Sequence, residues 1–235
     1  MTAQANAADP RARIIVALDL PTRATALEMA RALSPHPGFF KIGLQLFIAA
    51  GPEIIRAVHD LGSRIFLDLK LHDIPNTVGR AVESAASLGA EMLTIHLSGG
   101  REMIEAAVQA APPEMLLLGV TVLTSSNDET LRETGVFANV EEQVLRLAKL
   151  GVESGLRGFV ASPHELPALR RAHGREIKIV TPGIRPVGAA PNDQKRALTP
   201  AEALRAGADY LVIGRPITGA ADPRAALEKI AADAL

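Results

Sequence analysis

The chain has 235 residues, 48% of them hydrophobic and only 3% aromatic, with no tryptophan. That is enough apolar material for one large aliphatic core, in a length that α/β barrels commonly occupy as a single domain. A formal net charge of −1 argues against a nucleic-acid or anionic-membrane binder, and zero cysteines exclude disulfides, thiolate metal sites and a cysteine nucleophile.

Residues 1–12 carry no apolar stretch of the signal-peptide kind and read as a flexible N-terminal tail, with residues 13–235 as one domain. Strands are predicted over 13–19, 39–44, 64–70, 92–97, 115–123, 158–162, 177–181 and 210–214. Segments of helical composition lie between them, at 24–33, 52–61, 77–88, 102–110, 140–153, 163–172 and 200–206, and a last one at 223–232 follows the eighth strand. Gly62, Gly89, Gly151 and Gly207 fall where helices should end. The run at 115–123 is far too short to span a bilayer, so a soluble, cytoplasmic protein is expected.

Eight strand–helix units favour a closed (β/α)8 TIM barrel over an open doubly wound sheet. An open sheet would normally show a glycine-rich turn after its first strand, where this chain reads ALDLPT. The barrel reading predicts where chemistry sits, because active sites in this fold lie at the C-terminal ends of the strands. Polar residues collect there: Asp19, Lys41, Asp68, Lys70, His96, Thr124, Arg185 and Arg215.

The third strand is the richest. FLDLKLHDIPNT places Asp68, Lys70 and Asp73 at the end of a hydrophobic run, where charge is costly unless it is used. Strand alternation puts Asp68 and Lys70 on one face and Leu67 and Leu69 on the other, with Asp73 in the turn beyond. Lys41, inside FFKIGL, needs a partner if buried, and Asp19 on the neighbouring strand can supply it.

TPGIRP and VIGRPIT end strands seven and eight, positions that commonly bind phosphate in this fold. There Gly183 and Gly214 permit close backbone approach, and Arg215 adds a forked cation. The long segment between Ile184 and Pro200 reads as a loop or lid that can fold Arg185 and Gln194 onto a bound anion. His72, His96, Asp68 and Asp73 invite a metal, but the Lys70 ammonium among them would repel a cation and argues against it.

In order along the chain, ALD, KIG, DLKLHDIPNT, TPGIR, NDQ and IGRPIT together resemble the orotidine 5'-phosphate decarboxylase family. The resemblance runs from about residue 14 to the C-terminus. It implies that Lys70 donates a proton, with Asp68 and Lys41 completing a charged row. It implies a homodimer in which Asp73, Ile74 and Thr77 cross into the partner's site. Asp19 and Lys41 would hold ribose hydroxyls, Thr124 the pyrimidine, and Arg185, Gln194, Gly214 and Arg215 the phosphate. Two rivals share parts of the pattern. Magnesium-dependent sugar-phosphate lyases have a similar third strand, yet IPNT, TPGIR and NDQ favour orotidylate; a non-catalytic phosphate-binding barrel has no use for the Asp68–Lys70–Asp73 charges.

Overall fold

The computed structural model describes residues 9–186 and 198–234. Eight parallel strands, β1 (Ile14–Ala17), β2 (Phe39–Gly43), β3 (Ile65–Leu71), β4 (Met92–His96), β5 (Leu116–Val120), β6 (Gly158–Val160), β7 (Lys178–Thr181) and β8 (Tyr210–Ile213), close into a barrel in sequence order. Around them lie α1 (Arg23–Leu33), α2 (Leu44–Ala50), α3 (Glu53–His59), α4 (Pro75–Ser87), α5 (Arg101–Ala110), α6 (Asp128–Glu133), α7 (Val140–Glu153), α8 (Leu166–His173), α9 (Pro200–Ala206), α10 (Arg215–Thr218) and α11 (Pro223–Ala232).

The strands are nearly continuous apolar runs because both of their faces are buried. Ile15, Phe39, Phe66, Met92, Leu118 and Val180 fill the barrel interior. Their sequence neighbours Ile14, Val16, Phe40, Leu67 and Leu93 face outward and join the helices in a second, larger core. One residue of register slip would exchange these two sets, so the packing of both layers fixes the strand register.

The predicted strands all form, though most end earlier than their apolar runs. The fifth stops at Val120, and Val122 and Leu123 beyond it line the rim cavity instead. Three short helices, α2, α6 and α10, were not expected. Gly62, Gly89 and Gly207 lie past helix ends with positive φ, as predicted. Gly151 does not: it sits inside α7, where a Cβ would come within 2.9 Å of the Phe159 ring, and Gly155 (φ 92) is the glycine past that helix end. Close helix–strand packing, not termination, explains Gly151.

Of the expected N-terminal tail, residues 9–12 are described. Pro10–Arg13 form a 3-10 turn capped by the Asp9 carboxylate. The Arg11 carbonyl accepts from the Gly38 amide, and Ala12 lies so close to Gly38 that any side chain there would collide with its carbonyl. Residues 1–8 lie outside the described residues.

At the same N-terminal rim of the barrel, Arg170 of α8 ties the ends of several elements together. Its guanidinium donates to the carbonyls of Gly207, Gly174 and Ile177 and to the Asp209 carboxylate.

Candidate active site

A cavity of about 440 Å³ opens at the C-terminal rim of the barrel. Phe66, Val120, Val122, Val160, Val180 and Val212 make it apolar on several sides. Charge enters from β1 to β3. The Lys41 ammonium, 8% exposed, lies 2.9 Å from Asp19 Oδ1 and 3.5 Å from Asp68 Oδ2. Asp68 Oδ1 in turn accepts from Lys70 Nζ at 2.8 Å. The result is an alternating row, Asp19–Lys41–Asp68–Lys70, that balances charge locally while presenting two cations to the cavity.

Lys70 reaches this row by an irregular backbone. Its φ is 51°, the left-handed region, and among the described residues it is the only non-glycine with positive φ. The β3–β4 register shifts between Leu67 and Leu71, so the ladder is interrupted where Lys70 sits. The hydroxyl of buried Thr94 on β4 bridges the gap, accepting from the Lys70 amide at 2.8 Å and donating to Asp68 Oδ1 at 3.0 Å. Leu67, Leu69 and Leu71 still pack outward, so the predicted alternation of faces survives without regular strand geometry. A left-handed lysine costs about 1–3 kcal/mol, and such strain concentrates at functional sites.

Burial alone would raise the Asp68 pKa, but Lys41 and Lys70, with hydrogen bonds from Lys70 and Thr94, outweigh it and hold the carboxyl below its ordinary value. A depressed folded-state pKa stabilises the native state above the unfolded value and loses that contribution as pH falls through the folded one. The wild-type melting temperature should therefore fall more steeply below about pH 4 than that of Asp68→Asn. Parallel acid limbs in thermal melts of the two proteins would remove Asp68 from the acid response.

His96, at the end of β4, has its pKa lowered by burial, then by neighbouring His72 and Lys70; the two imidazole rings lie 5.5 Å apart. Among the described residues no group of three or more histidines, aspartates and glutamates is disposed to hold a metal ion.

Of the predicted residues, Asp19, Lys41, Asp68, Lys70, Thr124, Arg185, Gly214 and Arg215 line this one cavity. Gly183 joins them from the loop after β7. Gln194 lies outside the described residues. Asp73, Ile74 and Thr77 are exposed at the start of α4 and do not line the cavity of their own barrel. Asp73 accepts from the Ile74 amide at 2.7 Å, and Ile74 is 65% exposed. Thr94 was missed, because a threonine in MLTIH reads simply as a strand former.

The profile of the Orotidine 5'-phosphate decarboxylase / HUMPS family matches residues 12–230. The chain belongs to this family. Within it, the chain is 53% identical over 223 residues to the orotidine 5'-phosphate decarboxylase of Anaeromyxobacter sp. (strain K), covering 95% of this chain and 98% of that protein. It is 52% identical over 230 residues to the protein of that name from Moorella thermoacetica, covering 94% and 91%. The crystal structure of orotidine 5'-phosphate decarboxylase from Lactobacillus acidophilus matches with a TM-score of 0.83 at 40% identity, over 94% of this chain and 98% of that one. Among the described residues, no helix is long and apolar enough to cross a membrane.

Proposed function

We propose that this protein decarboxylates orotidine 5'-monophosphate to uridine 5'-monophosphate and carbon dioxide, the last step of de novo pyrimidine nucleotide synthesis, in the cytoplasm and without metal or organic cofactor. The observation that carries the reading is the Asp19–Lys41–Asp68–Lys70 row facing the same cavity as Arg185, Gly214 and Arg215. Membership of the family supports it.

Loss of carbon dioxide from C6 leaves an electron pair in the plane of the pyrimidine, where the ring's π system delocalises it poorly. A fixed ammonium answers both needs, supplying positive charge as the pair develops and then a proton. Lys70 takes that role, and the anchoring by Asp68 and Thr94 means little reorganisation is needed at the moment of reaction. Asp19 and Lys41 hold the ribose hydroxyls, Thr124 meets the pyrimidine, and Arg185, Gln194, Gly214 and Arg215 grip the phosphate. Phosphate binding energy is then spent on assembling the charged row, so it appears in the rate and not only in affinity.

The active unit in this reading is a homodimer in which Asp73, Ile74 and Thr77 complete the partner's site. Their exposure supports it, as does the apolar exposure of Leu44 (50%) and Ile48 (78%) on α2, the helix that follows β2.

Purified protein should abolish the ultraviolet absorbance that distinguishes orotidylate from uridylate, at an unchanged rate in EDTA. Loss of activity in EDTA would favour a magnesium-dependent sugar-phosphate lyase, and nucleotide binding without carbon dioxide release a binding module. Arg215→Ala should lower kcat/KM by about 10- to 100-fold, the worth of a hydrogen bond to a charged group, without changing the melting temperature. Unaltered kinetics would remove Arg215 from the phosphate grip.

A further inference from the structure

We infer that Thr94 is a positioning residue for the reaction, its single hydroxyl fixing both the backbone and the ammonium of Lys70. The inference rests on the role proposed above for Lys70, and deepens it.

The hydrogen bonds around Thr94 form a closed circuit. The Lys70 amide has a proton to give, so Thr94 Oγ1 accepts at that contact, 2.8 Å away. The hydroxyl's own proton then points to Asp68 Oδ1 at 3.0 Å. The same Asp68 oxygen accepts from Lys70 Nζ at 2.8 Å. One side chain, supplied by the neighbouring strand, thus holds Lys70 at its main chain and, through Asp68, at its tip. A hydroxyl carries one donor and two acceptor lone pairs, so it can serve both contacts at once.

Two further observations make the circuit more than local packing. The β3–β4 ladder is broken between Leu67 and Leu71, so a side chain does what backbone pairing does elsewhere in the barrel. Lys70 is also in the left-handed region, a conformation that a lysine keeps only when its surroundings over-determine it. Thr94 is 0% exposed, and a β-branched side chain in a strand has few alternative rotamers. No water can replace it from outside, and it has little freedom to turn away.

Valine at this position keeps the shape and removes both hydrogen bonds. The Lys70 amide would lose its acceptor and Asp68 one donor, and these two hydrogen bonds of Thr94 go to Lys70 and Asp68, not to the groups assigned to the phosphate. The defect should therefore fall on the chemical step. A misplacement of about 1 Å at a reacting group costs about 100-fold in rate. Thr94→Val should lose about that much in kcat with KM nearly unchanged, and Thr94→Ser should recover most of the loss. A crystal structure of Thr94→Val should show Lys70 leaving the left-handed region and its ammonium leaving Asp68.

Wild-type kcat in Thr94→Val would overturn the inference, as would a serine variant as impaired as the valine one, since the methyl group would then be what matters. So would a valine structure with Lys70 undisturbed, whatever the substrate is. Failure of the wild-type protein to consume orotidylate would instead sink the proposed function alone.

Discussion

Replacing Lys70 by glycine should abolish turnover of orotidine 5'-monophosphate while leaving the barrel folded. Removing one preorganised charge stabiliser costs about 3–4 kcal/mol of barrier, and losing a positioned proton donor costs a further 10²- to 10⁴-fold or so. Together they predict a fall in kcat of at least about 10⁴-fold. Glycine is the informative choice because Lys70 has φ 51, a conformation glycine adopts at no steric cost. It relieves roughly 1–3 kcal/mol of left-handed strain, which offsets the lost ion pair with Asp68. Asp68 is not stranded, since Lys41 lies 3.5 Å from it and Thr94 still donates. Lys70→Ala removes the same amine but retains the strain, so it should melt below the glycine variant. Turnover by ultraviolet absorbance and thermal melts of both variants check the two halves separately. A glycine variant with measurable turnover near wild type ends the proton-donor assignment, and an alanine variant that melts higher ends the strain argument.

The contrast between Lys70 and Thr94 shows what the sequence reveals about this site. Asp68 and Lys70 stand out because charge in an apolar strand is expensive, and strand alternation correctly puts them on one face. The same local logic cannot see that Lys70 lies off the regular strand path, because the shift is stabilised by a hydroxyl 24 residues away in sequence. The barrel itself was legible for a similar reason: eight runs buried on both faces leave few polar residues except at the rim that does chemistry. Helix α2 was hidden because LQLFIAA follows β2 without a loop, and its N-cap, Gly43, makes no side-chain hydrogen bond. By contrast α7, with its Asn139–Glu142 capping box, was bounded correctly at both ends. Asp73 stood out as charge beyond the strand, but the cross-subunit role proposed for it, Ile74 and Thr77 comes only from family resemblance, since in one chain all three are exposed.

Arg170→Ala should be strongly destabilising although it lies far from the site. The side chain is 14% exposed and donates to three carbonyls and one carboxylate, a forked geometry that only guanidinium offers. Those acceptors belong to the end of α9 and to the segments entering β7 and β8, so the one group closes the N-terminal rim where the last strands start. Truncation leaves the Asp209 carboxylate, 18% exposed, with the Ile179 amide at 2.8 Å and Lys178 at 3.5 Å. Removing one partner of such a buried pair costs about 3–5 kcal/mol, which for a chain of this size lowers the melting temperature by roughly 6–20 °C. Arg170→Lys should rescue little, because one ammonium cannot reach acceptors spread around a planar fork. Activity per folded molecule at 25 °C should be unchanged, since catalysis and stability occupy opposite rims of this fold. A variant that melts normally would show that the neighbouring backbone satisfies itself without the clamp. One that stays folded but loses kcat would show that the two rims are coupled through the strands.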